Sequence, residues 1–360
     1  MKYLIDSKIQ APAYQQLYKQ IRDDIINGIY LYKTKLPSKR TVAEELNIST
    51  VTVEHAYELL CDEGYIEAKE RSGYFVIFRT DDGFINTQTE SSLLLAEHHS
   101  SVSTSFPISV LTKTMRKVIN DYGESILETT PNSGSEELRR VLKHYLARSK
   151  GIKVEIDQII IGSGSEYFYT LISELFGRNK KYAIENPSYK KIEQVYSAAD
   201  IEYEMLPLGK NGIESYSLWD CNADVLHITP YRSFPTGVTA DASKRHEYIR
   251  WAKNNNAFIV EDDFESEFSI TNSSEETLFT LTREDNVIYM NTFSKTISPS
   301  LRIGYMILPK SLMDSFNKKL GFFSCTVPAF MQYVLAELIA NGDFERHINR
   351  VRRRKRKEQN

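Results

Sequence analysis

Apolar and polar positions in the first 78 residues predict three helices followed by a β-hairpin. Apolar side chains recur three or four positions apart over residues 14–26, which indicates one buried face of a helix. Ser38 and Ser49 each precede a further helical pattern and are the expected N-caps, because their hydroxyls can accept hydrogen bonds from free backbone N–H groups. Two runs of β-forming residues, 65–68 and 74–77, flank a charged turn and predict a hairpin, or wing.

From about residue 106 onward, helical patterns alternate with short apolar runs, whereas residues 79–105 show no periodicity and are rich in small polar residues. The apolar runs include IIIG, YAIEN, DVLHI, FIVED, VIYMN and GYMIL. Short, uninterrupted apolar strands are typical of parallel sheets covered by helices. The predicted fold class is therefore α/β, with an N-terminal helical domain over 1–78, a linker over 79–105 and a domain built on a mostly parallel sheet over 106–360.

Composition and charge narrow the possible partners. With 360 residues the chain is long enough for two domains, and its formal net charge of −3 gives no overall attraction to nucleic acid. Any DNA binding therefore requires a local basic patch. Cys61, Cys221 and Cys325 are far apart and odd in number, so we expect neither a disulfide framework nor a metal site. The sequence shows no leader and no apolar run approaching ~18–20 residues, so we expect a cytoplasmic protein without a membrane partner.

Two consecutive helices in the N-terminal domain have the character of a helix-turn-helix, in which the second helix inserts its first turn into the DNA major groove. Lys39 and Arg40 begin the first helix, close to Lys33 and Lys35, and form the required basic patch. The second helix offers hydroxyl donors, and a glycine at the wing tip lets the backbone approach the sugar-phosphate chain. The expected DNA-binding residues are Lys39, Arg40, Ser49, Thr50, Thr52, Arg71 and Gly73.

The basic segment RHINRVRRRKRKEQN closes the sequence and has two interpretations. Its lysines and arginines are suited to a second electrostatic contact with DNA. Alternatively they form the solvated face of a helix that turns His347, Ile348 and Val351 inward. We favour the second interpretation.

The strongest chemical signal is Lys295 in the segment NTFSKTISPSLRIGY. A lysine that forms an imine must be held on a rigid element beside an apolar pocket, and Lys295 directly follows a predicted strand. In GSGSEYFY, residues 163–165 lie at a strand-to-helix junction, where backbone N–H groups and hydroxyls can hold a phosphate. Tyr189 can stack on a heteroaromatic ring, and either Asp262 or its neighbour Asp263 can pair with a protonated ring nitrogen.

These motifs resemble two known families. The segments LPSKRTVAEELNIS, TVTVEHAYELLCDEGYIE and RSGYFV resemble the GntR family of regulators, over nearly all of residues 10–78. Residues 106–360 resemble fold-type I aminotransferases, which bind pyridoxal 5'-phosphate (PLP). With TPYRSFPTG and EDDFESEF, the whole chain resembles the MocR subfamily, in which a winged helix-turn-helix is fused to an aminotransferase-like sensor domain.

The resemblance implies a role for each candidate cofactor residue. Lys295 is the catalytic lysine that bonds covalently to PLP, Asp262 pairs with the ring nitrogen, and Tyr189 stacks on the ring. The residues that hold the phosphate are Ser163, Gly164, Ser165, Thr292 and Arg302. The resemblance further implies a homodimer, a double-stranded DNA operator and a small amino-group effector as partners.

The sequence also departs from these families. Thr50 stands where GntR proteins usually have an arginine directly after the capping serine, which removes a DNA anchor. Phe264 stands where the subfamily has a tyrosine that donates to the 3-hydroxyl oxygen of PLP, and Arg232 and Ser233 replace a customary His-Gln pair. Members also continue for ~100 residues, as a small domain with the arginine that binds a substrate carboxylate. We therefore expect an effector domain that is C-terminally incomplete and lacks that small domain.

The expected function is a transcription regulator that uses PLP as cofactor or effector, with at most weak or vestigial aminotransferase chemistry. Two alternatives stay open. One is an active aminotransferase with a DNA-binding appendage, and the other is a degenerate regulator without a cofactor. We favour the PLP-dependent regulator because a transaminase needs a complete site for the substrate carboxylate, which the sequence does not reveal.

Overall fold

The computed structural model describes residues 3–5, 11–69, 72–78, 106–269 and 276–359. The chain divides into two compact units, residues 1–98 and 99–360. The predicted linker over 79–105 and the predicted wing residue Arg71 lie outside the described residues.

The first unit contains the three predicted helices and the predicted hairpin. They are α1 (Ala13–Ile26), α2 (Lys39–Leu46), α3 (Thr50–Asp62), β1 (Ile66–Lys69) and β2 (Gly73–Val76). Both predicted caps are confirmed, since Ser38 Oγ accepts from the N–H of Thr41 and Ser49 Oγ accepts from the N–H of Thr52, each at 3.1 Å. The inward faces of the three helices enclose one core around Leu17, Val53, Tyr57 and Leu60, which fixes α3 against α1.

The second unit alternates helices and strands, as the sequence predicted. Its helices are α4 (Ile108–Tyr122), α5 (Glu136–Ser149), α6 (Ser165–Phe176), α7 (Lys190–Ala198), α8 (Ser215–Asp220), α9 (Ala242–Asn255), α10 (Leu278–Leu281), α11 (Lys310–Leu320), α12 (Ala329–Ala340) and α13 (Asp343–Gln359). Its strands are β3 (Ile159–Gly162), β4 (Tyr182–Asn186), β5 (Tyr203–Gly209), β6 (Gly212–Ile213), β7 (Val225–Ile228), β8 (Phe258–Asp262), β9 (Val287–Thr292) and β10 (Gly304–Ile307). None of the described helices is long and apolar enough to cross a membrane.

Within the described residues these strands form one sheet in the order β3-β10-β9-β8-β7-β4-β5-β6. The central pairs from β9 to β5 are parallel, whereas β10 is antiparallel to both of its neighbours and β6 is antiparallel to β5. The expected α/β class and the mostly parallel sheet are therefore confirmed. Because β3 is antiparallel to β10, it points the same way as β9, so β3, β4, β7, β8 and β9 all end at one edge of the sheet.

Apolar side chains on alternate strand positions pack against helices on both faces. On β9, Tyr289 belongs to the core shared with α5 and α12, whereas Ile288 and Met290 belong to the core shared with α6 and α7. This alternation follows from the period of two in a strand.

In α13, His347, Ile348 and Val351 are buried, as the solvated-face interpretation of the basic segment predicted.

Candidate functional site

A cavity of about 250 Å³ opens at the edge where the parallel strands end. Each of these strands delivers residues to it: Ser165 after β3, Tyr189 after β4, Thr229 after β7, Asp262 from β8 and Thr292 from β9. The start of the antiparallel β10 lies at the same edge and adds Arg302. In open α/β sheets this edge is the usual place for ligands. The remaining lining residues are Glu166, Tyr169, Lys191, Phe234, Phe264, Ser294 and Lys295.

The structure brings seven of the nine predicted cofactor residues to this one cavity: Ser165, Tyr189, Asp262, Phe264, Thr292, Lys295 and Arg302. Ser163 and Gly164 are adjacent but do not line it. The backbone N–H of Ser163 donates to Thr326 Oγ1 at 3.1 Å. Gly164 has a φ of +96°, and a Cβ there would lie 3.2 Å from Arg302 Nη2, so the glycine makes room for the guanidinium.

Lys295 and Arg302 belong to the same tight loop between β9 and β10. The N–H of Phe293 donates to the carbonyl of Ile303 at 2.8 Å and closes the base of this loop, while the N–H of Ile297 donates to the carbonyl of Phe293 at 2.9 Å. The Lys295 amine has no hydrogen-bond or ion-pair partner within the described part of the chain. Its side chain reaches the cavity wall and stays accessible.

Asp262 and Asp263 face different surroundings, although both are buried at the end of β8. Asp262 lines the cavity, where its Oδ2 accepts a hydrogen bond of 2.5 Å from Tyr169. Its Oδ1 is buried and has no hydrogen-bond partner among the described residues. Asp263 instead accepts from the Lys150 ammonium at 3.0 Å and from Tyr289 at 2.7 Å. Of the two candidates, Asp262 alone lines the cavity, and it has a buried acceptor atom without a partner among the described residues.

The group around Lys150 is an internal charge cluster that the sequence did not reveal. Lys150 follows α5, its side chain is 8% exposed, and its ammonium contacts Asp263, Ser266 and Glu267. Burial lowers the pKa of Lys150, but the carboxylates of Asp263 and Glu267 outweigh that effect and raise it above its usual value. The cluster anchors the segment after β8 that carries Phe264.

Buried aromatic side chains pack around Asp262. Tyr196 of α7 hydrogen-bonds His227 Nδ1 at 2.7 Å, and His227 Nε2 lies 3.9 Å from Asp262 Oδ2. Tyr169 packs on the His227 ring with centroids 5.0 Å apart. The hydrogen bond from Tyr169 orients the carboxylate of Asp262 through Oδ2, and His227 packs beside the same oxygen, while Oδ1 is left without a partner among the described residues.

Glu166, in the first turn of α6, was not predicted and forms two ion pairs at the cavity. Its carboxylate pairs with the guanidinium of Arg302 at 2.5 Å and with the ammonium of Lys191. Burial by itself raises the pKa of Glu166, but the hydrogen bonds from Lys191 and Arg302 outweigh burial and lower it to about 2. An acidic residue in the first turn of a helix that follows a predicted phosphate loop was the available sequence signal.

The segment TPYRSFPTG forms one wall of the cavity. Phe234 contacts Tyr189 edge to face, with ring centroids 5.9 Å apart. Ser233, one of the residues that replace the customary His-Gln pair, donates to Glu185 Oε2 at 2.6 Å. Burial raises the pKa of Glu185 to about 8, against the opposing hydrogen bond from Ser233. The pair therefore ties the Phe234 loop to the end of β4.

A larger cavity of about 540 Å³ lies between α5, α6 and α11 and contains none of the predicted site residues. It is lined by both charge signs, with Arg139 and Lys310 facing Glu155, Asp157 and Asp314. No set of convergent catalytic groups distinguishes it, and the chemistry expected from the sequence lies at the strand ends instead.

The first unit presents the predicted DNA-binding residues on its helix-turn-helix. Arg40, Ser49 and Thr50 are exposed at the starts of α2 and α3, whereas Lys39 pairs with Glu54 of α3. The hydroxyl of Thr52 is 2.8 Å from Ser49 Oγ, so this contact within the cap uses part of the hydrogen-bonding capacity of Thr52.

Gly73 opens β2 with a φ of +109°. A Cβ at this position would lie 3.0 Å from Lys35 Cε, so the missing side chain makes room for a lysine beside the wing.

Comparisons with known proteins agree with this architecture. Residues 13–76 match the gntR family of bacterial regulatory proteins, and residues 100–360 match aminotransferase class I and II. The HTH-type transcriptional regulator YdeL of Bacillus subtilis is 33% identical over 98% of this chain and 79% of its own length. MocR of Rhizobium meliloti, a probable rhizopine catabolism regulatory protein, is 24% identical over 97% of this chain and 76% of its own.

Among solved structures, the kynurenine aminotransferase of Pyrococcus horikoshii, determined in complex with PMP, matches with a TM-score of 0.64 and 26% identity. The match covers 69% of this chain and 64% of that enzyme, so this chain spans less than two thirds of the enzyme's length. The helix-turn-helix unit and the sheet unit thus each match a different family, and the regulators YdeL and MocR match both units together. The chain belongs to the gntR family of bacterial transcription regulators, in the MocR subfamily, whose members join a helix-turn-helix domain to an aminotransferase-like domain.

Proposed function

We propose that this regulator binds PLP in the cavity at the strand ends and responds there to a small amino-group ligand. The observation that carries the proposal is the convergence of Lys295, Asp262, Tyr189 and Arg302 on one cavity, from three separate segments of the chain. On this proposal residues 1–78 bind an operator, residues 79–105 link the domains, and residues 106–360 sense the ligand. A homodimer is part of the same proposal, by analogy with the subfamily.

The residues present fit PLP at both ends of the molecule. The unpartnered Oδ1 of Asp262 is a buried acceptor suited to the N–H of a protonated pyridine ring. At the other end, Arg302 crosses Gly164 beside the first turn of α6, where helix N–H groups favour an anion. Ser163, Ser165 and Thr292 would complete the phosphate contacts, and Tyr189 would cover one face of the ring.

When bound, PLP supplies an aldehyde that condenses with primary amines, on an electron-withdrawing ring. The chain's own residues would bind and orient it. Lys295 offers an accessible amine, Asp262 would hold a proton at the ring nitrogen, and Phe234 with Tyr189 would form an aromatic wall on one side of the ligand.

Reduction of the PLP-bound protein with borohydride tests the proposal. We expect a visible absorption band in the natural protein and a covalent adduct on the peptide that contains Lys295. Lys295→Ala should lose both, whereas the control Lys310→Ala, at the start of α11, should keep both. An adduct on another lysine, or no saturable band in the natural protein, would contradict the assignment.

The main rival is a working aminotransferase, which the similarity to the kynurenine aminotransferase makes worth testing. We expect the regulator to convert amino acids and keto acids poorly. Multiple-turnover transamination that is abolished by Lys295→Ala would favour the enzyme instead.

DNA binding by the proposed residues can be tested with operator fragments. Arg40 is exposed at the start of α2, and Arg40→Ala should weaken operator binding by ~1–3 kcal/mol if the arginine contacts a guanine. Arg116→Ala, in α4 of the other unit, is the control. Unchanged affinity in a gel-shift titration, with the fold intact by circular dichroism, would remove Arg40 from the interface.

A further inference from the structure

The region of the cavity suited to phosphate already contains a negatively charged side chain. Glu166 lies in the first turn of α6, directly after Ser165, and its side chain is 22% exposed. One carboxylate oxygen contacts Arg302 Nη2 at 2.5 Å and the other contacts Lys191 Nζ. The two cations that line this end of the cavity are thus both paired with a single internal anion.

The charges in this group decide how strongly it attracts a phosphate. Arg302, Lys191 and Glu166 together carry a net charge of +1, whereas the two cations alone would carry +2. A phosphate monoester has a charge of about −1.5 to −2 at pH 7. It would gain contacts with Arg302, but it would also approach a carboxylate that stays ionised and shares the same guanidinium. Glu166 therefore opposes the entry of a phosphate while leaving the ring-binding end of the cavity unaffected.

We propose that Glu166 is a specificity-determining residue that weakens the preference of this cavity for a phosphorylated ligand over the same ligand without its phosphate. The inference deepens the proposed function and rests on it in one respect, namely that the ring end of the cavity accepts a pyridine. Glu166 acts as an internal counterion that an incoming phosphate must displace or share.

A purely orienting role for Glu166 makes the opposite prediction. If the carboxylate serves only to hold Arg302 in a productive position, its loss disorders the guanidinium and weakens the phosphate contact. The sign of the change on neutralising Glu166 therefore distinguishes the two roles.

The test compares Glu166→Gln with the natural protein, each titrated with PLP and with pyridoxal, which lacks the phosphate. The substitution keeps the shape of the side chain and removes its charge. We expect the ratio of the pyridoxal Kd to the PLP Kd to rise by about two- to fivefold, because one partly exposed charge contact accounts for about that factor. Glu284→Gln removes an exposed glutamate paired with Lys253 and should leave the ratio unchanged.

A second titration, with inorganic phosphate and calorimetric detection, separates this inference from the proposed function. Glu166→Gln should bind phosphate more tightly than the natural protein does. If phosphate binding tightens but neither protein binds PLP or pyridoxal, the inference about Glu166 stands and the cofactor proposal fails. If PLP binds the natural protein but the ratio stays constant or falls in Glu166→Gln, Glu166 is an orienting residue and the inference is wrong.

Discussion

At the scale of single residues, two neighbouring aspartates have different surroundings and therefore different candidate roles. Asp262 is the last residue of β8 and Asp263 follows it in the chain, and successive side chains of an extended backbone point to opposite faces. One carboxylate therefore meets Tyr169 and the cavity, while the other meets Lys150 on the opposite side. Sequence alone left both residues as candidates for the ring nitrogen, because the pattern FIVEDDF does not reveal which position faces the ligand.

Phe264, two residues beyond Asp262, lines the cavity without a polar atom to offer. In the subfamily a tyrosine here donates to the 3-hydroxyl oxygen of PLP, and such a donor stabilises negative charge on that oxygen. The visible absorption band of the PLP-bound protein should change with pH. We expect Phe264→Tyr to lower the midpoint of that change by about one to two pH units, because the new hydroxyl would make a charge-assisted hydrogen bond to the oxygen. A spectrophotometric pH titration of both proteins measures this. Coincident midpoints would mean that another donor already serves the oxygen.

The candidate site was predictable as far as local motifs reach. Lys295, Tyr189 and Arg302 were found because short segments carry them in a recognisable order. The partners of Glu166 and Asp263 were not found, because Arg302 lies 136 positions from Glu166, and Lys150 lies 113 positions from Asp263. Such pairs exist only once the sheet brings distant segments together.

At the scale of elements, the strands missed by the sequence pattern are β5 and β6. The strands β3, β7 and β9 are buried at every position and consist mainly of apolar residues, which is why they were predicted. In contrast, β5 has one buried residue, Leu206, among partly exposed and exposed positions, contains Pro207, and lies near the edge of the sheet. Its short partner β6 has only two residues. Neither carries the apolar density by which a buried strand is recognised.

The Lys150 cluster joins the end of α5 to the segment after β8, and its removal should cost more than loss of a surface pair. Lys150→Met leaves Asp263 and Glu267 buried without their cation, so we expect a loss of about 3–5 kcal/mol in the free energy of unfolding. The control is Lys143→Met, also in α5, which breaks the exposed ion pair between Lys143 and Glu155. It should lower the free energy of unfolding by at most ~1 kcal/mol. Chemical denaturation compares the two. Equal losses would contradict the role of the buried cluster.

Glu185 makes the tie between β4 and the Phe234 loop sensitive to pH. Burial raises its pKa from 4.5 to about 8, so its contribution to stability is fully present below pH 4.5 and is lost as the pH rises through about 8. We expect Glu185→Gln to flatten this dependence, with a gain on the order of 1–3 kcal/mol at pH 9 relative to its effect at pH 5. Thermal unfolding across this range measures it. The exposed Glu174→Gln is the control, and an unchanged pH profile in Glu185→Gln would contradict the assignment.

At the scale of the whole molecule, a DNA-binding head and a sheet domain with a ligand cavity share one chain. If the cavity regulates the head, PLP must change operator affinity, and by reciprocity the operator must change PLP affinity by the same factor. We expect a change of about five- to 150-fold, the usual range for such coupling, and its loss in Lys295→Ala. Fluorescence anisotropy with labelled operator, with and without PLP, measures it. Identical affinities in the natural protein would separate ligand binding from regulation.

The buried ring of His227 has a further consequence for experiments on this protein. Since a lone pair on Nε2 would face the carboxylate of Asp262 at 3.9 Å, the favoured tautomer carries its proton on Nε2 and accepts the Tyr196 hydroxyl at Nδ1. The ring is shielded from solvent, so its proton should exchange slowly enough to give a resolved downfield resonance. Arrival of a positively charged ring nitrogen at the opposite oxygen of Asp262 would shift that resonance. The proton NMR resonance of His227 should therefore report whether a ligand occupies the cavity, without any label in the cavity itself.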